Sequence, residues 1–179
     1  TPTQPAELKL AVSGDAGGLR LKDLTVTESG RVLTHAMGRI PVSWRMQAAP
    51  HLRLDESAPL ELSASTDPDS PLWELLTGST GLQLTHPEAR INLTGKLRPP
   101  AADLQVRVEQ MKLALKNSRM SLPDVEDLAI DAHFDRSQVT LRNLSAKLEG
   151  QAVQASGQLP MKDEGGKQLW HHPTAFDWS

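Results

Sequence analysis

The chain contains no cysteine and no tyrosine, and only six of its residues are aromatic (four Trp, two Phe). Without cysteine there is no disulfide frame, no thiolate nucleophile and no cysteine-ligated metal. An ordinary β core recruits Tyr, Phe, Val and Ile, the residues that fit a pleated surface. Here 27 leucines supply most of the bulk instead. Long apolar runs are missing too: none approaches the roughly 18 residues of a membrane-spanning helix. Charge of one sign is also scarce. Lysine plus arginine (19) nearly match aspartate plus glutamate (22), the net charge is −3, and the basic residues are scattered. Nucleic-acid binding therefore has no electrostatic footprint. With 38% hydrophobic residues, the chain is not of disordered composition either.

Catalytic and metal-binding patterns are equally sparse. None of the six histidines (35, 51, 86, 133, 171 and 172) falls in a metal-ligand spacing. Carboxylate clusters such as Asp67/Asp69 and Asp124/Glu126/Asp127 sit in turn-like segments that account for them. No Gly-x-Ser-x-Gly elbow is present. We expect no enzyme, no cofactor and no metal site.

What the chain does have is alternation. Val139 and Leu141, then Leu144, Ala146 and Leu148, then Val153, Ala155, Gly157 and Leu159 mark one face of what reads as three short antiparallel strands. The one-residue slips between these sets are read as bulges or turns, since an uncorrected slip would turn a strand over. Leu19, Leu21, Leu24, Val26 and Gly30 repeat Val139, Leu141, Leu144, Ala146 and Gly150. The closing Gly38-Arg-Ile-Pro41 repeats Gly157-Gln-Leu-Pro160 after one residue's slip. A fainter central copy runs through Leu82, Leu84, Ala89, Ile91 and Leu93 to Gly95. A unit that recurs and is built of strands buries its face against its neighbours.

The expected architecture is mainly β: an elongated, curled antiparallel meander with one short helix. It is read as a single β-repeat fragment of a longer protein over 1–179, with units near 8–46, 52–115 and 125–161 and a loop and tail over 162–179. The helix is placed at Leu72–Leu76, with Pro71 in its first turn, Ser70 or Asp69 as cap and Gly78 as stop, about two turns long. Pro123–Asp127 is read as a second short turn or helix. Alternation by itself favours a closed sandwich whose inner faces interdigitate.

The segments Leu19–Val26, Val139–Gly150 and Ala155–Leu159 resemble the AsmA-like/TamB family of bacterial envelope proteins. The shared pattern is apolar-x-apolar-x-Asn/Asp-Leu, a glycine turn, then small-x-Gly-x-Leu. The resemblance implies a taco-like sheet with an apolar interior, anchored in the inner membrane by a segment outside this one and extending through the periplasm. It further implies phospholipid transport towards the outer membrane and envelope assembly, with an outer-membrane barrel protein among the partners. On that reading phospholipid acyl chains would meet Leu21, Leu24, Val26, Leu82, Leu84, Ile91, Leu93, Leu141, Leu144, Ala146 and Leu148. The other reading is a closed β-sandwich scaffold that binds protein by strand addition.

Overall fold

The computed structural model describes residues 6–15, 18–45, 51–97, 100–113 and 124–161. Strands make up 76% of it, and ten of them form one open antiparallel sheet. β1 (Ala6–Asp15), β2 (Gly18–Glu28) and β3 (Arg31–Ile40) form a meander. β4 (Val42–Arg45) and β5 (His51–Leu54) pair only with each other. The main sheet resumes with β6 (Pro59–Thr66), followed by α1 (Pro71–Thr80), β7 (Leu82–Thr85), β8 (Glu88–Lys96) and β9 (Pro100–Leu113). It ends with β10 (Val125–Phe134), β11 (Gln138–Leu148) and β12 (Gln151–Pro160). The strand order is β1-β2-β3-β6-β8-β9-β10-β11-β12, with β7 beside β9. β1 and β12 form the edges, so the sheet is not closed. The sandwich expected from alternation is thereby corrected: one layer carries the pattern.

The two terminal meanders are built alike to the residue. In β1–β2, Ala11 pairs with Asp23 and Val12 with Leu21, leaving Lys22 in a bulge. In β10–β11, Asp131 pairs with Asn143 and Ala132 with Leu141, leaving Arg142 in the same place. Leu21 then faces Gly38 and Leu24 faces Ala36; Leu141 faces Gly157 and Leu144 faces Ala155. Both hairpins turn through two residues of positive φ, Ser29-Gly30 (54° and 78°) and Glu149-Gly150 (51° and 79°). These are the values a tight hairpin with right-handed twist needs. The one-residue slip between the copies has a location: Val26 pairs with Thr34 but Thr27 with Val32, so Leu33 is an extra residue in β3.

The central copy does not fold this way. β7 and β8 lie end to end along β9, with Leu84 opposite Met111 and Ala89 opposite Val106. Between them His86 takes a positive φ of 45° and Pro87, which has no N–H to give a ladder, is buried. Asp127 takes a positive φ of 51°, and β9 shifts its apolar phase between Val108 and Met111. Three neighbouring strands thus change phase together, and pairing survives. Pro123–Asp127 is not a helix where it is described, because β10 begins at Val125.

The helix starts where expected and stops later. Ser70 caps it, accepting from the Leu72 N–H at 3.3 Å and donating to the Leu33 carbonyl at 2.6 Å. It continues through Gly78 to Thr80 and ends on Gly81, whose φ of 77° lets its N–H bond the Thr77 carbonyl. A forked Arg31–Glu74 pair, one arm 2.9 Å, ties it to the start of β3. α1 packs against β7 and β3, occupying the gap left where β6 ends.

Candidate functional site

Following one residue from strand to strand gives the site its geometry. Paired residues of antiparallel strands point to the same face. Leu10, Leu24, Ala36, Ala64, Ile91, Leu104, Ala132, Leu141 and Gly157 form one unbroken row across the sheet. Val12, Leu21, Gly38, Leu62, Leu93, Ala102, Phe134, Val139 and Leu159 form a second on the same side. Neither row contains a polar side chain. At about 4.8 Å between strands, each spans roughly 38 Å. Further along, Leu144 joins Ile130 and Ala155, and Ala146 joins Val153. Leu84, Met111, Val125 and Leu148 form another row beyond the phase change.

All eleven residues expected to line a groove therefore share one face: Leu21, Leu24, Val26, Ile91, Leu93, Leu141, Leu144 and Ala146 in the body of the sheet, and Leu82, Leu84 and Leu148 beyond the phase change. Sequence reasoning left out residues on the same face, including Leu8, Leu10, Val12, Leu104, Val106 and Ile130. Their alternation was itself the signal that could have placed them there.

The face is poorly covered. Among the described residues the buried hydrophobics are Leu21, Leu60, Val108, Ala132 and Ala146. Most others on this side are half-buried, Ile91 is 38% exposed, and Leu8, Leu10 and Val12 on the edge strand are 66%, 56% and 44% exposed. A filled core would hold such residues near zero, and one half-exposed leucine would mean little. Two uninterrupted rows are a different matter, since contiguous apolar surface on this scale marks a binding surface.

The other face is the opposite in kind. Lys9, Thr25, His35, Ser65, Arg90, Gln105, Asp131 and Asn143 form a row with no apolar member. On it Asp103 meets His133 Nδ1 at 2.9 Å and Arg142 Nη2 at 2.8 Å, while Arg142 Nη1 stands 3.5 Å from Asp131. The His133 hydrogen bond, then the Arg142 charge, hold the Asp103 carboxyl below its ordinary pKa against the opposing effect of burial. Asp135 is lowered in the same direction by hydrogen bonds from Ser137 and the Gln138 N–H. Thr25 donates to Asp23 at 3.0 Å and lies 3.2 Å from His35 Nδ1. These contacts pin strands to one another and point towards water.

Two concavities are formed by described residues. One, of about 320 Å³, is lined by Ser65, Thr66, Asp67, Glu88, Ala89, Arg90, Gln105 and Arg107. The other, of about 380 Å³, lies between α1 and β7 and includes Trp73, Leu84 and His86. Both have mostly polar walls. Among the described residues no group of His, Cys, Asp and Glu is arranged to hold a metal ion, and no helix is long and apolar enough to cross a membrane. Comparison with protein-family models, curated proteins and solved structures gives no match.

Proposed function

We propose that this chain is a segment of an AsmA-like/TamB-type envelope protein that spans the periplasm, and that its apolar face carries phospholipid acyl chains towards the outer membrane. The observation that carries the proposal is the poorly covered apolar face, nine strands wide in a single sheet, backed by a mostly polar one. Envelope assembly beside an outer-membrane barrel protein belongs to the same reading and rests on the sequence resemblance alone.

The mechanism is partitioning. Each methylene moved from water onto a dry alkyl surface contributes about 0.8 kcal/mol. Leucine and alanine side chains offer that surface without a polar atom to satisfy. The scarcity of aromatics suits sliding, because alkyl contacts are weak singly and alike along the path. A path of equal small steps releases a chain as readily as it takes one. The head group stays at the wet rim and needs no dedicated site, and no catalytic group is required.

Neighbouring residues on β11 supply the test. Leu144 lies on the apolar face and Ser145 on the other. A photo-activatable residue at 144, irradiated in cells making the protein, should capture phospholipid; the same residue at 145 should not. Native mass spectrometry of the purified chain should show co-purified phospholipid. Equal lipid capture at both positions, or none at 144, would overturn the proposal.

A further inference from the structure

Two arginines of the polar face meet carboxylates across strands. Arg39 lies 2.7 Å from Asp15, and Arg142 lies 2.8 Å from Asp103, with His133 on the same carboxylate oxygen. Arg90 and Arg107 behave differently. In the β8–β9 ladder Arg90 stands opposite Gln105 and Arg107 opposite Glu88, so the two arginines are diagonal neighbours on one side of the sheet. Diagonal positions on adjacent strands are about 7 Å apart, close enough for two long side chains to meet on one small ion. Both are exposed, and among the described residues neither guanidinium has a hydrogen bond or an ion pair, Arg107 not even with the carboxylate across from it.

Both arginines line the concavity of about 320 Å³, together with Ser65 and Gln105. The Ser65 hydroxyl and the Gln105 carboxamide have no hydrogen-bond partner among the described residues either. β6, β8 and β9, which supply these four side chains, are interior strands of the sheet. The wall also carries Glu88, and Asp67, which stands 3.6 Å from His35 Nε2. Two arginines balance two carboxylates, so the hollow has no net charge to draw an extended polyanion from a distance. What it offers is direct bonds. A planar guanidinium matches two oxygens of a carboxylate or a phosphate. Two such forks, a hydroxyl and a carboxamide exceed what the two oxygens of a carboxylate can accept, and suit the three outer oxygens of a phosphate monoester. The hollow is larger than a bare phosphate, which leaves room for the first atoms of the ester.

We propose that this hollow binds the phosphate group of a phosphate monoester, with Arg90 and Arg107 as its two forks and Ser65 and Gln105 completing it. Glu88 opposes the anion and keeps the affinity moderate. The site does not depend on what the leucine rows carry.

The probe is glycerol 3-phosphate, titrated into the isotope-labelled protein at low ionic strength and followed by amide chemical shifts, with sodium acetate as the comparison. The phosphate should bind saturably, with shifts centred on β6, β8 and β9, and acetate at least about fivefold more weakly. Arg90→Gln and Arg107→Gln should each weaken binding on the order of tenfold. Glu88→Gln should tighten it about threefold. Arg20→Gln removes the same charge from β2 and should change nothing. All four positions are exposed, so circular dichroism should be the same in every variant. Flotation with vesicles containing phosphatidic acid identifies the source. Vesicle binding that glycerol 3-phosphate displaces makes the natural ligand a lipid head group, and binding of the soluble ester alone makes it a free one. No saturable binding, acetate as tight as the phosphate, weaker binding by Glu88→Gln, or a loss in Arg20→Gln equal to that in Arg107→Gln would overturn the proposal.

Discussion

Gly38 and Gly157 occupy one position of the repeat, and replacing each by alanine should have effects of opposite sign. Both lie opposite a leucine, Leu21 and Leu141. They differ in what lies on their other side. β6 runs along the far edge of β3, with Leu62 opposite Gly38. A Cβ on Gly38 would run into the Glu61 carbonyl oxygen and stand 2.7 Å from the Leu62 Cα, at a φ of 156° that disfavours an L side chain. All the obstructing atoms are backbone, so no rotamer change relieves the contact. At Gly157, a Cβ would meet nothing within 4 Å.

Overpacking of this kind typically costs 1–3 kcal/mol and a disfavoured backbone conformation about 1–3 more, so Gly38→Ala should destabilise the fold by roughly 3 kcal/mol. Gly157→Ala removes only the excess entropy of glycine in the unfolded chain and should stabilise by about 0.5 kcal/mol. With a urea slope of about 2 kcal/mol/M, the midpoint should fall by roughly 1.5 M in the first variant and rise by about 0.25 M in the second. Hydrogen exchange should show the loss first at Glu61–Ser65, the stretch of β6 bonded to β3. A Gly38→Ala protein as stable as the parent would refute the close approach of β6. A Gly157→Ala protein as damaged as Gly38→Ala would mean that β12 carries a strand on its outer edge, as β3 does.

Two further outcomes follow from polar contacts. Ser70 is 2% exposed and serves both the helix cap and the Leu33 carbonyl. Ser70→Ala should cost about 1–2 kcal/mol by urea unfolding and speed amide exchange across 71–80, whereas an unchanged midpoint would remove Ser70 as the latch of α1. Asp103 has a folded pKa below its ordinary value, so the folded state holds its proton less tightly than the unfolded chain does. Its contribution is complete above the unfolded value near 3.9 and is lost as pH falls through the folded value. The gap in stability between parent and Asp103→Asn, about 1 kcal/mol at neutral pH for a partly exposed charged pair, should close below about pH 4. A gap that persists to pH 2 would show that the carboxylate charge is not what Asp103 contributes.

The parts of this fold legible in the sequence are those that local geometry determines. Alternation marked the dry face of nearly every strand, because a strand has no other way to bury one side. The Lys22-Asp23 and Arg142-Asn143 slips were readable as slips but not as to kind: from the sequence Val139–Leu148 reads as two short strands, and it is one strand with a bulge at Arg142, because pairing with β10 continues across the slip. The Ser29-Gly30 and Glu149-Gly150 turns were readable from their glycines. What escaped depended on distant partners. Gly78 and Gly81 are equally good helix stops, and the choice between them follows from where β7 must begin to reach β9. The faint central copy passed over His86-Pro87, between Leu84 and Ala89, without a reading of its own. With β9 alongside, it is a break within one line. The acidic run before Leu128 looked like a turn, yet Asp127 takes the bulge itself and meets Lys147 at 2.7 Å.

The error about layers is of another kind. Period two reports that one side of a strand is dry, not what dries it. A second sheet, a curl of the same sheet and a bound alkyl chain all leave the same pattern. Domains ordinarily solve the problem by stacking two layers. Here a ten-stranded sheet has one layer, a helix placed in a gap at its edge, and five buried hydrophobic residues among those described. Leu21, Val108, Ala132 and Ala146, together with Leu60, are buried on strands that are paired along both sides. Leu8, Leu10 and Val12 have the same pattern yet are exposed, their strand having no neighbour on one side among the described residues. Among the described residues, then, the repeat appears with its outer edge paired and with it unpaired, and the difference in exposure shows what a further strand removes from water. The broad face has no filled counterpart in the chain. The face has only its breadth and its chemistry, which are those of a surface made for alkyl chains.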